Sequence, residues 1–126
     1  MFLPYGKIMK HLIILEDEPL ILKYLTKSLS KHFSVSPFNC PDHATDFIKH
    51  NKTDYVLCDY MLGNQNGLDF LSAIINNNYI NNPQKNFIFM TAYEDNNIYN
   101  KLLSTGCRII RKQDVSINKI KGYFEV

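Results

Sequence analysis

No apolar run in these 126 residues approaches the length needed to span a bilayer. A dominant charge is missing too: 14 basic and 12 acidic residues leave a net +2, spread along the chain. That balance gives no reason to expect nucleic acid or a membrane surface as a partner. Cysteine is sparse, at Cys40, Cys58 and Cys107, odd in number and without C-x-x-C spacing. Such usage argues against disulfides and zinc, and suits buried thiols in a reducing, cytoplasmic setting. Histidines 11, 32, 43 and 50 show no ligand spacing and read as surface residues. The opening Met1 to Ile8 is too short for a secretory signal and lacks its basic start. Met9 is as good a start as Met1, so residues 1–9 read as a loose extension. Residues 10–126 read as one globular domain, and the whole chain, 45% hydrophobic and 21% charged, has the composition of one.

Within it, one stretch organises the rest: Asp54-Tyr-Val-Leu-Cys-Asp-Tyr-Met-Leu-Gly-Asn-Gln-Asn-Gly67. A short apolar run ends at a single acid, Asp59, and breaks into a loop rich in Gly and Asn. The run reads as a buried strand, which puts Asp59 at its carboxyl end, where open α/β sheets place ligand sites. An acid there also fits a plain turn start, so the rest of the chain must decide.

Strand and helix signals alternate along that chain. Lys10 to Leu15 predicts a first strand running into Glu16-Asp17-Glu18-Pro19, a helix start, with Leu22, Leu25, Leu29 and Phe33 at helical spacing. Phe33 to Phe38 alternates like an edge strand, and Asp42 is placed to cap a helix carrying Ala44, Phe47 and Ile48 inward. After the Asp59 strand, Gly67 to Ile75 predicts a third helix with Leu68, Leu71, Ile74 and Ile75 on one side. Asn76 to Pro83 is turn chemistry. Asn86 to Ala92 predicts the fourth strand, Asp95 to Gly106 the fourth helix, and Arg108 to Lys112 the fifth strand. Asp114 or Ser116 opens a last short helix through Ile117, Ile120 and Phe124. Five strand–helix repeats imply a flavodoxin-like, doubly wound α/β fold: a five-stranded parallel sheet, order 2-1-3-4-5, with helices on both faces.

All strand ends of a parallel sheet open on one edge. Glu16 and Asp17, Asp59, Thr91 and Lys112 end the first, third, fourth and fifth strands, so three carboxylates, a hydroxyl and an ammonium converge. Packed carboxylates repel unless a cation joins them, and oxygen ligands suit a hard divalent ion. A metal beside one exposed carboxylate, with a lysine and a hydroxyl to hold further oxygens, suits phosphoryl transfer onto that carboxylate.

At this point the sequence resembles the receiver domain of bacterial two-component response regulators. The resemblance rests on Leu12-Ile-Ile-Leu-Glu-Asp-Glu-Pro19, Asp54 to Leu62 with Gly67-Leu68, Phe87 to Ala92, and Gly106 to Lys112, and spans Lys10 to about Phe124. It implies that Asp59 is the phosphoacceptor, Asp17 a direct metal ligand, Glu16 a ligand directly or through water, and the Met61 carbonyl a further ligand. It makes Thr91 the switching hydroxyl and Lys112 the residue paired with the phosphoryl group. The implied cofactor is Mg2+ or Mn2+. The implied partners are a histidine kinase or phosphotransfer protein, and a downstream protein at the face of the fourth helix, fifth strand and fifth helix, with homodimerisation also compatible. Such a protein is a signalling phosphoacceptor, not an enzyme beyond metal-dependent self-phosphorylation and slow autodephosphorylation.

Three departures from the family pattern matter. Gly63 stands where proline is usual, predicting a more mobile loop. Gln113 follows Lys112 in place of a proline, predicting a trans bond and a reshaped loop from which the lysine still reaches Asp59, less firmly held. The aromatic switch is replaced by Ile109 or Ile110, predicting a weaker link between phosphorylation and the fifth strand. Two other readings compete: a degenerate receiver working as a constitutive interaction module, and a cofactor-binding flavodoxin-like protein. The second lacks a phosphate-cradling loop, since Glu16-Asp17-Glu18 follows the first strand.

Overall fold

The computed structural model describes residue 6, residues 8–92 and residues 95–126. Most of the extension read at residues 1–9 therefore lies outside the described residues. The chain runs β1 (His11–Leu15), α1 (Pro19–Leu29), β2 (Ser34–Phe38), α2 (Pro41–His50), β3 (Tyr55–Asp59), α3 (Gly67–Asn77), β4 (Phe87–Thr91), α4 (Asn96–Ser104), β5 (Arg108–Arg111) and α5 (Ile117–Phe124). The five strands form one parallel sheet in the order β2-β1-β3-β4-β5, as expected. A helical turn at Pro83–Asn86, a small hairpin pairing Met61–Leu62 with Gln65–Asn66, and a 3-10 turn at Lys112–Asp114 complete the described elements.

Side chains alternate across the pleat, so the unbroken apolar runs of the central strands feed two cores. Leu12, Ile14, Leu57, Ile88, Met90 and Ile110 pack with Leu25 and Leu29 of α1 and Ile120 and Phe124 of α5. Ile13, Leu15, Val56, Cys58, Phe87 and Phe89 meet Ala44 and Ile48 of α2, Phe70, Leu71 and Ile74 of α3, and Leu102 of α4. Each fully buried Val, Leu, Ile, Phe or Met among them contributes about 1.5–3 kcal/mol. The helices draw on this unevenly. Four residues of α3 are buried, Gly67, Phe70, Leu71 and Ile74, whereas α4 buries Leu102 alone.

Local chemistry sets the helix ends. Pro19 and Pro41 open α1 and α2 at the first turn, where their missing N–H costs nothing. Asp42 is therefore not the cap of α2: Pro41 starts the helix one residue earlier and leaves Asp42 in the first turn, still favourable to the dipole. Asn66, Asp95 and Ser116 do cap, accepting from the backbone N–H groups of Asp69, Asn97 and Lys119. Ile75 is 44% exposed and Phe70 takes the inward place, because the stripe runs 67, 70, 71, 74 and position 75 lies a further step round the helix. His11 is more than a surface histidine: its ring nitrogens contact the Lys52 carbonyl at 2.9 Å and Ser36 Oγ at 2.8 Å.

Candidate functional site

The carboxyl edge of the sheet gathers the polar strand ends. Glu16 follows β1 and is buried; Asp17 beside it is exposed; Asp59 ends β3 and is buried. Lys112 leaves β5 into the 3-10 turn, and its Nζ lies 2.8 Å from Asp59 Oδ2 and 3.0 Å from Glu16 Oε1. The Lys112–Gln113 bond is trans, so no unusual peptide geometry is needed for that reach. Against the expectation of a loosely held ammonium, Lys112 joins two carboxylates at once. Asp17, Asp59, Met61 and Lys112 line a cleft of about 230 Å³ above them. Thr91 is buried at the end of β4, one residue beyond Met90, the ladder partner of Asp59.

Burial and crowding set the charges. Burial first, then the nearby Asp59 charge, pushes the Glu16 carboxyl from 4.5 up to about 7, against the opposing bonds from Lys112 and the Glu18 N–H. Asp59 is also raised, by burial and secondarily by Asp17, with Lys112 pulling the other way. For Lys112, burial disfavours the charge, but its bonds to Asp59 and Glu16 prevail and raise it. Glu16 Oε2 is buried with no hydrogen-bond partner. One carboxylate oxygen each from Glu16, Asp17 and Asp59 lies within 4.8 Å of the others. An all-oxygen trio with one unsatisfied buried atom fits a hard divalent cation.

Two glycines near the acceptor, Gly67 and Gly63, shape its surroundings through backbone contacts. Gly67 donates its N–H to the Tyr60 carbonyl at 2.7 Å, closing the loop that leaves Asp59. A Cβ on Gly67 would lie 2.7 Å from the Asp59 carbonyl oxygen, 3.0 Å from Cys58 Sγ and 3.1 Å from the Phe89 ring. Gly67→Ala should therefore destabilise the fold by about 1–3 kcal/mol, read as a lower urea midpoint. The other is Gly63, whose N–H donates to Asp17 Oδ2 at 3.1 Å. Its hairpin was legible in principle, since Gly63-Asn64 between two short extended pairs is a two-residue turn signature.

The missing aromatic switch is also resolved. Ile109 packs into the core that holds α3 and α4, and Ile110 into the opposite one, so Ile109 occupies the α4 side. Arg111, the ladder partner of Thr91, stands over the Tyr99 ring of α4 at 5.0 Å.

No curated protein matches the chain. Solved structures do. The CheY-like response regulator receiver domain protein from Methanospirillum hungatei JF-1 is 21% identical with a TM-score of 0.78, covering 94% of this chain and 95% of that one. The signal receiver domain of an HD domain-containing protein from Pseudomonas fluorescens Pf-5 is 16% identical with a TM-score of 0.79, covering 94% and 93%. The non-phosphorylated HemR receiver domain from Leptospira biflexa is 19% identical with a TM-score of 0.73, covering 92% and 91%. At these identities the likeness speaks for the fold alone. The sequence itself matches the family described as the response regulator receiver domain over residues 12–122, nearly the whole chain. With that match, the chain belongs to the response regulator receiver domain family.

Proposed function

We propose that this protein accepts a phosphoryl group on Asp59 from a phosphohistidine of a histidine kinase or phosphotransfer protein, and signals by altered protein binding. The observation that carries the reading is the pairing of Asp59 with Lys112 at 2.8 Å beside the acidic trio. The Asp59 carboxylate attacks phosphorus, the phosphorus–nitrogen bond breaks, and the imidazole leaves with its electron pair, which leaves an acyl phosphate. The Lys112 ammonium, already at the acceptor, neutralises charge on the transferred oxygens, and Thr91 supplies a hydroxyl from the next strand end. Glu16 and Asp17, with Asp59 and the Met61 carbonyl, would hold Mg2+ or Mn2+. Once bound, that ion screens the carboxylates from the incoming anion.

The donor's landing face on this reading is α1. Leu20 is 82% exposed and Tyr24 59% exposed on α1. With Ile21, Met90 and Val115 they line an apolar hollow of about 280 Å³ that reaches Lys112. Exposed apolar side chains of this size beside a polar site mark a protein contact. Leu20→Asp is expected to slow transfer from a phosphohistidine protein by roughly tenfold or more, one hot-spot contact's worth. Labelling by acetyl phosphate, which needs no docking, should stay within about twofold of the parent. Equal losses with both donors would remove α1 from the docking face.

The downstream face is α4, β5 and α5. Arg111 over Tyr99 and Arg108 over the Tyr123 ring at 4.8 Å place cation–aromatic pairs there, beside Leu103 at 51% exposure. Free Cys40, Cys58 and Cys107 suit a reducing cytoplasm, and among the described residues no helix is long and apolar enough to cross a membrane. The competing reading, a constitutive module of the same fold, predicts no chemistry at Asp59. Intact mass after incubation with acetyl phosphate and Mg2+ separates the two.

A further inference from the structure

The turn after the acceptor touches the acidic site directly. Leu62 and Gln65 pair across a two-residue loop, Gly63-Asn64. Gly63 has φ +67°, and Asn64 is not among the residues with positive φ. A glycine at the first loop position is what such a hairpin asks for. Nothing lies within 4 Å of a Cβ built on Gly63, so backbone conformation and not space selects the residue. The turn brings the Gly63 N–H to Asp17 Oδ2 at 3.1 Å, a contact across 46 positions of sequence. Proline, with φ fixed at about −65° and no N–H, can make neither the turn nor the bond.

Asp17 needs such a partner. Glu16 and Asp59 are both held by the Lys112 ammonium, but Asp17 is exposed and no ion pair to it is found among the described residues. An exposed carboxylate rotates freely in water, and ordering it is part of the cost of placing an ion there. We propose that Gly63 is a positioning residue for Asp17: its N–H holds the carboxylate where one oxygen already lies within 4.8 Å of those of Glu16 and Asp59, so that a divalent cation meets an assembled donor set. The proposal rests on reading the trio as a cation site, though not on phosphoryl transfer. It also reverses the expected meaning of this departure from the family pattern. The glycine here supplies a tether between the loop and the site.

The test is binding of Mg2+ alone to the full chain, by titration calorimetry and by the metal-induced rise in melting temperature. Gly63→Asn keeps the N–H, and asparagine is among the side chains that best tolerate positive φ, so despite some strain at φ +67° it should keep more of the parent's affinity than a variant without the N–H. Gly63→Pro loses both and should bind roughly tenfold more weakly, at the low end for losing a partner of a metal ligand. In the metal-free parent, Asp17→Asn should move the Gly63 amide proton resonance, a response that a merely structural turn would not give. Parent-like affinity in Gly63→Pro would overturn the proposal, as would an equal loss in Gly63→Asn or an unmoved Gly63 amide. A parent that binds no Mg2+ would overturn the cation site itself, and this inference with it.

Discussion

Incubated with acetyl phosphate and Mg2+, the parent protein should gain the mass of one phosphoryl group, and Asp59→Ala should gain none. The label should survive acid and be lost in base, as an acyl phosphate is. Asp59 stands apart from the neighbouring acids on geometry. Glu16 is 0% exposed and out of a donor's reach, and Asp17 has a backbone N–H and, among the described residues, no ammonium at its carboxylate. Asp59 alone both lines the cleft and holds the Lys112 ammonium at 2.8 Å. Lys112→Ala should leave the acceptor in place but slow labelling by about 100-fold, the usual scale for losing one preplaced donor at a developing charge. A label that persists in Asp59→Ala would sink the assignment, and an unlabelled parent would leave the constitutive module as the better reading.

The second large effect is on stability, and it depends on pH. The folded Glu16 carboxyl titrates near 7 against 4.5 in its ordinary state. Between those values the metal-free folded protein holds a proton that the unfolded chain releases, so stability should fall as pH rises from about 4.5 to 7. The full drop is bounded at about 3 kcal/mol, and screening in an open cleft will reduce it. Mg2+ should reverse the trend, since a ligating carboxylate must be ionised: its stabilisation grows with pH and reaches about 2.7 kcal/mol at a hundredfold excess over Kd. Urea midpoints with and without Mg2+, from pH 5 to 8, check both signs. Glu16→Gln should flatten the metal-free curve, and Asp17→Asn should remove most of the metal's effect. An Asp17→Asn protein that responds like the parent would reduce Asp17 to a helix-start residue.

Much of this architecture was legible in the chain because parallel sheets leave plain marks. Strands buried on both faces read as unbroken apolar runs, and their ends carry the chemistry, so Glu16, Asp59 and Lys112 could be placed on one edge without coordinates. Helix faces were less secure. Leu71 and Ile74 face inward as the spacing predicts, but Ile75 does not, and Phe70, absent from the predicted stripe, does, because a stripe drawn from apolar residues alone does not say which neighbour completes it. Side-chain reach was beyond the sequence. That Lys112 would take Glu16 as well as Asp59 depends on rotamers set by packing, between residues 96 positions apart. The close approach of Gly67 to the Asp59 carbonyl was equally hidden, since a helix-opening glycine has no pattern that distinguishes steric need from chance.

The slender anchoring of α4 sets the energy scale on which this domain can speak. Its buried surface is essentially one leucine, Leu102, with half-buried Ile98 beside it. If output requires α4 to shift, giving up that one leucine's burial would cost about 2–3 kcal/mol and would hold the shifted form to roughly 0.6–3% at rest. Inverting a two-state population from 1:99 to 99:1 takes about 5.5 kcal/mol of preference. A modification worth only the anchoring of α4 brings the two forms to comparable abundance and no further. Ile109, stiff at its β-branch, stands on the α4 side of β5, so on the proposed reading phosphorylation should bias the output state by degrees and not invert it outright. A partner that prefers the shifted helix would then have to supply the rest of the bias, so that the listener would complete the switch.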